Sequence, residues 1–530
     1  MRSSTGKVVS LPPEQTSIGD HGAQPAPLAG GGRRPRILFV TSEIADYVKT
    51  GGLGEVSSAL PRILRLYYDV RVLVPGYPQV LSSGARISIV GRLPRQRDIP
   101  ACELGEMATA DGLRLYVLIC PELFDRGGTP YGDETGADWQ DNDIRFARLG
   151  LAAADIASGR VGLDWRPDLV HAHDWQAALA PAYLAWRGVN VPTVLTIHNL
   201  AYQGLFDRGR LSGLAIPDSA YTVEGVEFYG RLSFLKAGLF YATHITTVSS
   251  TYAREITTPE LGCGFDGLLR MRAEQGRLSG ILNGIDASWD PRTDPHLVGH
   301  FEPGRWEGKQ ANADQVRQAF GLSVARGPLF AVVSRLVHQK GLDIAIEAAE
   351  SVVAQGGQLV VTGRGERPVE EAFARLAERH PGSVGVKIGF EETEARRMFA
   401  GSDFFLMPSR FEPCGLGQMY AQRFGSLPIA HETGGLADTI QDGETGFLFR
   451  SLTVAGLTRA VRRAFDVFES PARIDAMRLA AMRQEFDWKH SARSYRAIFS
   501  KAMAFGQIGR AMPRAETARI QARDAAFAVR

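Results

Sequence analysis

Cysteine is scarce in this chain: four stand among 530 residues, Cys102, Cys120, Cys263 and Cys414, with no Cys-x-x-Cys pair. That excludes a disulfide framework and a zinc knuckle, and a reducing compartment fits such usage. Charge of one sign is not in excess either, since 60 Lys and Arg face 58 Asp and Glu. The composition therefore gives no electrostatic footprint for nucleic acid or for an anionic membrane, and neither partner is expected. No apolar run approaches the roughly 18 to 20 residues that a membrane span needs. Residues 1–34, rich in Pro, Gly, Ser and Gln, hold no continuous apolar stretch and no periodicity, so a tail without fixed structure and a soluble cytoplasmic protein are expected.

What is present is an ordinary globular composition, 44% hydrophobic and 22% charged. At roughly 100 to 200 residues per domain, the length implies two to four domains. From Arg36 onward short β-branched runs alternate with longer helical segments: RILFVTSE, VRVLVP, RLYVLI, PDLVHAHD, PTVLTIHN and HITTVSS, then LFAVVSR, QLVVTG, VGVKIGF, DFFLMPS and LPIAHET. This alternation predicts an α/β fold of parallel sheets wound with helices on both faces. Several runs end in polar or Gly-rich residues, which places those residues at the C-terminal sheet edge where such folds bind ligands. An Asn-Gly turn and three prolines near ILNGIDASWDPRTDPH mark a break. The expected organisation is a tail at 1–34, a Rossmann-like domain at 35–282, a second at 283–485, a helix at 486–507 and a tail at 508–530. Phe486, Trp488, Tyr495 and Phe499 are spaced for helical faces, so this helix is expected to pack back on the first domain.

Four segments can carry chemistry. Lys49-Thr50-Gly51-Gly52 follows the first strand and opens a helical pattern, so backbone N–H groups and a lysine converge as they would around an anion; a tight turn with a solvated lysine is the alternative. Arg335 and Lys340, after LFAVV, suit a diphosphate that gains charge on leaving, or else are surface charges. Glu412, between Phe411 and Pro413 at the mouth of a helix, can accept two sugar hydroxyls or simply cap that helix, and the N–H groups of Cys414, Gly415 and Leu416 point to the same place. Thr433-Gly434-Gly435 supplies another Gly-rich turn of anion-binding type. Two metal readings compete: His171-Ala172-His173-Asp174 at a strand end, and Asp141-Asn142-Asp143, for which N-capping is the stronger reading. No metal and no cofactor are expected.

KTGGLGEVSSALP, VHAHDWQAALAPAYL, TIHNLAYQG, TYAREITTPELGCGFDGLL, ILNGID, SRLVHQKGLD and SRFEPCGLGQMYAQRFGSLPIAHETGGLADTI occur in this order across roughly residues 36 to 500. Their joint order and spacing resemble the bacterial glycogen synthase and plant starch synthase family. The resemblance implies the two-domain GT-B glycosyltransferase fold and retaining transfer of glucose from ADP-glucose to the non-reducing end of an α-1,4-glucan such as glycogen. It assigns Lys49, Gly51 and Gly52 to the donor, Asp174 and His198 to the glucose and reacting centre, and Arg335 and Lys340 to the diphosphate. Glu412 and the Cys414, Gly415 and Leu416 backbone match the glucose-holding segment. Thr433 and Gly434 lie on the donor side, Tyr420 near the nucleotide and Asn283 between the domains. Competing readings are a UDP-glucose-dependent or other-acceptor glucosyltransferase and a non-catalytic sugar-nucleotide or glucan-binding protein. The chain departs from the family at Gly54-Glu55, where Ala-Asp is commoner, at Gly417, where Thr or a comparable residue is commoner, and at Cys263 in the acceptor-side segment.

Overall fold

The computed structural model describes residues 33–511, with side chains to residue 505. The expected tails at 1–34 and 508–530 lie outside the described residues except where they adjoin the fold.

Every strand expected from the alternation forms. In the first half, Leu278–Gly280, His244–Thr247, Thr193–Ile197, Leu169–His173, Arg36–Val40, Asp69–Pro75 and Arg114–Ile119 lie side by side and parallel. Two strands that the pattern did not reveal, Cys102–Ala108 and Ser88–Leu93, extend this sheet in antiparallel fashion. They escape notice because Ser88–Leu93 is a half-exposed edge strand and Cys102–Ala108, beside it, mixes charged and glycine residues with apolar ones, unlike the continuous apolar runs of buried parallel strands. The second half builds a six-stranded parallel sheet in the order Val384–Ile388, Gln358–Gly363, Leu329–Val333, Phe404–Met407, Leu427–His431 and Phe447–Phe449.

Each sheet has its own core. Ile37, Leu38, Phe39 and Val40 are fully buried in the first, as are Phe330, Leu359, Phe404 and Leu427 in the second. We keep 282/283 as the proposed division: the first sheet's last strand ends at Gly280, and Trp289 already packs in the second half with Phe399 and Phe424. The terminal helix, Trp488–Ala511, returns to the first domain. Its Trp488, Ala492, Tyr495, Phe499 and Ala502 join the first core, with Tyr495 and Phe499 against His171. The strap is fixed beside the crossover by Ile285 N–H to the Phe486 carbonyl, 2.8 Å, and by Ser491 Oγ to the Leu282 carbonyl, 2.5 Å. Among the described residues no helix is long and apolar enough to cross a membrane.

Candidate active site

The C-terminal edges of the two sheets carry the chemistry-bearing segments and face one another. On the second domain, Lys340 Nζ donates to Glu412 Oε2 at 2.6 Å, and Ser409 Oγ donates to the same oxygen at 2.9 Å. Glu412 is 6% exposed, so this carboxylate is held rather than mobile. It does not cap the helix Gly417–Arg423, whose N-cap position is Leu416. The loops carrying the pair are stitched together by Arg410, which forms a bidentate pair with Asp343 at 2.8 Å for both bonds, and by Gln339 Nε2 to the Phe411 carbonyl, 3.1 Å. The Arg410 guanidinium holds the Asp343 carboxyl below its ordinary range. Lys340 and Arg335 are therefore not equivalent: Lys340 is paired, whereas exposed Arg335 is 3.4 Å from the Tyr202 hydroxyl of the first domain and 3.5 Å from Gln339 Oε1.

Across the cleft, Asp174 and His198 end neighbouring strands. Asp174 Oδ1 accepts the His198 N–H at 2.7 Å, and His198 Nε2 lies 3.0 Å from His173 Nδ1, one ring donating to the other. Each keeps some surface toward the cleft, yet the surrounding protein dominates: burial pushes the Asp174 carboxyl up to about 7 and the His198 imidazole down to about 3. Asp174 also has φ +51°, a left-handed conformation uncommon outside glycine and of the kind that concentrates at functional sites. The His-x-His pair lies in the core: His171 is bonded through Nε2 to Thr196 Oγ1 at 2.7 Å and packed on Phe39, and His173 is bonded through Nδ1 to His198. The capping reading of Asp141 is corrected: it stands at the N-cap position but makes no side-chain cap, pairing instead with Arg126. Asp143 pairs with Arg210.

The Lys49 turn departs from the expected free anion cradle. Glu43, three residues beyond the first strand and 2% exposed, accepts the Thr50 N–H at 2.7 Å and the Gly51 N–H at 3.2 Å, and it is bonded by the Tyr131 hydroxyl. The anion that shapes this turn is thus the protein's own carboxylate, and the segment TSE was the available signal for it. Lys49 is bonded to Glu55. A Cβ at Gly51 or Gly52 would meet no atom within 4 Å, so these glycines keep clear a space that the protein itself does not fill.

Thr433 and Gly434 are likewise occupied. Glu255 of the first domain accepts Thr433 Oγ1 at 2.9 Å and the Gly434 N–H at 3.0 Å. Nearby, Thr251 donates from N and Oγ1 to Asp438 at 2.9 and 2.6 Å, and Ser249 Oγ donates to the Pro413 carbonyl at 2.6 Å. These bonds tie the two ligand edges together; Asp438 ends the Gly-rich segment that begins at Thr433, whereas neither Glu255 nor Ser249 was singled out from sequence. Gly434 has φ +47°, and a Cβ there would lie 1.9 Å from the Glu412 carbonyl oxygen, so the turn backs the Glu412 segment directly.

Asn283 is 6% exposed and sits beside the Cys414 thiol, with its Oδ1 buried and unpartnered. Cys414 packs with Val248, Met419 and Phe486, and burial pushes its thiol up to about 12. Gly415 and Leu416 are half-buried at the start of the Tyr420 helix. The Tyr420 ring stacks on Trp289 at 3.6 Å and 15°, and Trp289 carries the Arg396 guanidinium at 4.0 Å on its ring. At the departure Gly417, a Cβ would approach Phe405 Cε1 to 3.1 Å, so a larger residue there requires that ring to shift.

Comparison with known proteins bears on the same arrangement. The starch synthase catalytic domain family matches residues 36–271 and the glycosyl transferases group 1 family residues 317–476. A glycogen synthase of Pseudomonas syringae pv. syringae is 61% identical over 466 residues, covering 88% of this chain and 96% of its own. One of Bradyrhizobium diazoefficiens, glycogen synthase 1, is 58% identical over 459 residues, covering 87% and 99%. Among solved structures, the catalytic domain of starch synthase IV from Arabidopsis thaliana, bound to ADP and acarbose, superposes with a TM-score of 0.79 at 29% identity, over 89% of this chain and all of that one. A sucrose-phosphate synthase from Thermosynechococcus elongatus shares the fold alone, with a TM-score of 0.55 at 16% identity and coverage of 89% and 100%. With two Rossmann-like domains that bring these motifs to one cleft, the chain belongs to the glycogen synthase family of GT-B glycosyltransferases.

Proposed function

We propose that this chain transfers glucose from ADP-glucose to the non-reducing end of an α-1,4-glucan, with retention of configuration, in the cytoplasm. The observation that carries the reading is the buried Glu412 carboxylate, held by Lys340 and Ser409 on a ligand edge that is hydrogen-bonded to the edge of the domain carrying Asp174 and His198. A glucosyl unit between these walls has a carboxylate for its hydroxyls on one side and an uncharged imidazole on the other. The neutral state matters, because a cationic ring beside the anomeric carbon would oppose the positive charge that develops there.

In the proposed front-face displacement, the bond from C1 to the diphosphate oxygen breaks while the acceptor 4-hydroxyl oxygen bonds to C1 from the same side. The hydroxyl proton passes to the departing phosphate. Arg335 and Lys340 offset the growing diphosphate charge, and Lys49 with the clear space over Gly51 and Gly52 receives the rest of the donor. Contributions from both domains mean that the site is complete only with the cleft closed, which also excludes the water that would hydrolyse the donor.

ADP as the donor nucleotide is supported by the ADP-bound relative and by relatives named as glycogen synthases. Glucose incorporation into glycogen with ADP-glucose and UDP-glucose in parallel tests the reading. Transfer from ADP-glucose is expected; preference for UDP-glucose would overturn the donor assignment, and absence of transfer from either would leave a binding protein.

A further inference from the structure

One turn in the first domain is built from an unexpectedly costly residue. Glu227–Phe228 and Arg231–Ser233 form an antiparallel pair in which Phe228 faces Arg231, leaving Tyr229-Gly230 as a two-residue connection. Both carry positive φ, +48° and +79°. That is the type I′ combination, which Asn-Gly or Gly-Gly adopts readily and which a bulky ring residue adopts only against its own β-carbon. Burial does not repay the cost, since Tyr229 is 80% exposed. A large apolar ring held in a strained backbone and offered to water is there for something outside the fold.

Its surroundings give the direction. The ring stands edge-on to Phe228, centroids 4.7 Å apart, and a Cβ at Gly264 would lie 3.0 Å from Tyr229 Cε2. Phe228 itself stacks on Phe265 at 4.2 Å, so the platform beneath is rigid. Cys263, the residue before Gly264, is another non-glycine residue with positive φ, and its carbonyl accepts Gln203 Nε2 at 2.9 Å. Gln203 adjoins Tyr202, whose hydroxyl meets Arg335. Tyr229 is therefore joined, contact by contact, to the wall of the cleft where leaving-group charge develops.

We propose that Tyr229 is an acceptor-binding residue, a stacking platform for glucose units of the glucan lying beyond the reacting end. This rests on the glucosyl-transfer reading above. The C–H face of a glucopyranose is apolar and flat enough to cover an aromatic face, and a tyrosine with two side-chain torsions loses little freedom when covered. A platform away from the reacting carbon adds affinity for long chains without touching the chemical step, so it discriminates acceptors by length.

The test uses Tyr229→Asn, which gives the turn the residue it favours, beside Tyr229→Phe, which keeps the ring. Tyr229→Asn should melt at or above the wild-type temperature, while the ratio of kcat/KM for glycogen to that for maltotriose should fall by about fivefold or more. Tyr229→Phe should keep that ratio within about twofold. Calorimetric titration with maltoheptaose reads the same subsite without turnover: weaker binding by Tyr229→Asn is expected even should wild-type transfer fail, an outcome that would sink the catalytic reading separately. A wild-type ratio together with wild-type maltoheptaose affinity in Tyr229→Asn would overturn the proposal, as would a Tyr229→Phe variant as impaired as Tyr229→Asn.

Discussion

Lys340 and Glu412, 72 positions apart in sequence, meet at 2.6 Å in a place where the carboxylate is almost fully buried. This relationship separates the two cations that the sequence presents as a pair. Removing Lys340 would take a charge from the proposed diphosphate site and also strand a buried carboxylate with Ser409 as its remaining side-chain donor among the described residues, whereas removing exposed Arg335 would do the first alone.

Arg335→Ala and Lys340→Ala should each lower kcat by about 10² to 10³, because in the proposed displacement each removes charge where leaving-group charge grows. Only Lys340→Ala should also lower the melting temperature measurably. Calorimetry beside initial rates decides the point; equal melting temperatures in the two variants would mean that the Lys340 to Glu412 bond does not hold the segment.

Asp174 offers a pH signature. Its carboxyl is raised to about 7 by burial against about 3.9 in an unfolded chain, so between those values the folded state holds the extra proton. Its contribution to stability therefore falls as pH rises through this window, and the cost of the buried charge is complete above about pH 7. Asn at 174 carries no such charge and tolerates φ +51°, so the melting temperature of Asp174→Asn relative to wild type should rise from pH 5 to pH 8. A difference that stays flat across this range would contradict the buried-carboxyl assignment.

The glycines sort by what surrounds them. Gly434→Ala should destabilise the protein and abolish transfer, because its methyl would lie 1.9 Å from the Glu412 carbonyl oxygen in a backbone of positive φ. Gly51→Ala and Gly52→Ala, whose methyls meet nothing within 4 Å, should fold normally yet raise KM for the donor. Thermal melts and donor titrations on the three variants distinguish these outcomes.

Cys414 is buried with its thiol pushed up to about 12, so it is protonated at neutral pH and has no nucleophilic part in the proposed displacement. Cys414→Ser should retain most of the turnover that Glu412→Ala loses. Iodoacetamide on the native protein should label Cys263, the exposed cysteine, ahead of the three buried ones; peptide mass mapping reads the order.

Deleting the chain from residue 486 should expose the bed of Trp488, Tyr495 and Phe499 and destroy activity. Each such ring is worth about 1.5 to 3 kcal/mol on burial, and all three lie in the first core. A truncated protein that stays monodisperse and active in light scattering and transfer assays would show the strap to be dispensable.

The sequence by itself determined the parallel strands of both sheets except the short outermost ones, Leu278–Gly280 and Phe447–Phe449, because a strand buried on both faces must be apolar along its whole length, and it placed the polar ends of those strands where such sheets bind ligands. It also determined the return of the last helix through the spacing of Trp488, Tyr495 and Phe499. Two antiparallel strands, Ser88–Leu93 at the edge and Cys102–Ala108 beside it, stayed hidden since strands that mix charged and glycine residues with apolar ones show no such run. Only the tertiary structure decided that Glu43 fills the Lys49 turn, that Glu255 occupies Thr433 and Gly434, and that Lys340 belongs to Glu412 and not to Arg335. The physical reason is range: propensity and periodicity act over a few residues, whereas the partner of a charge and the burial that moves Asp174 to about 7 and His198 to about 3 depend on segments tens to hundreds of positions away.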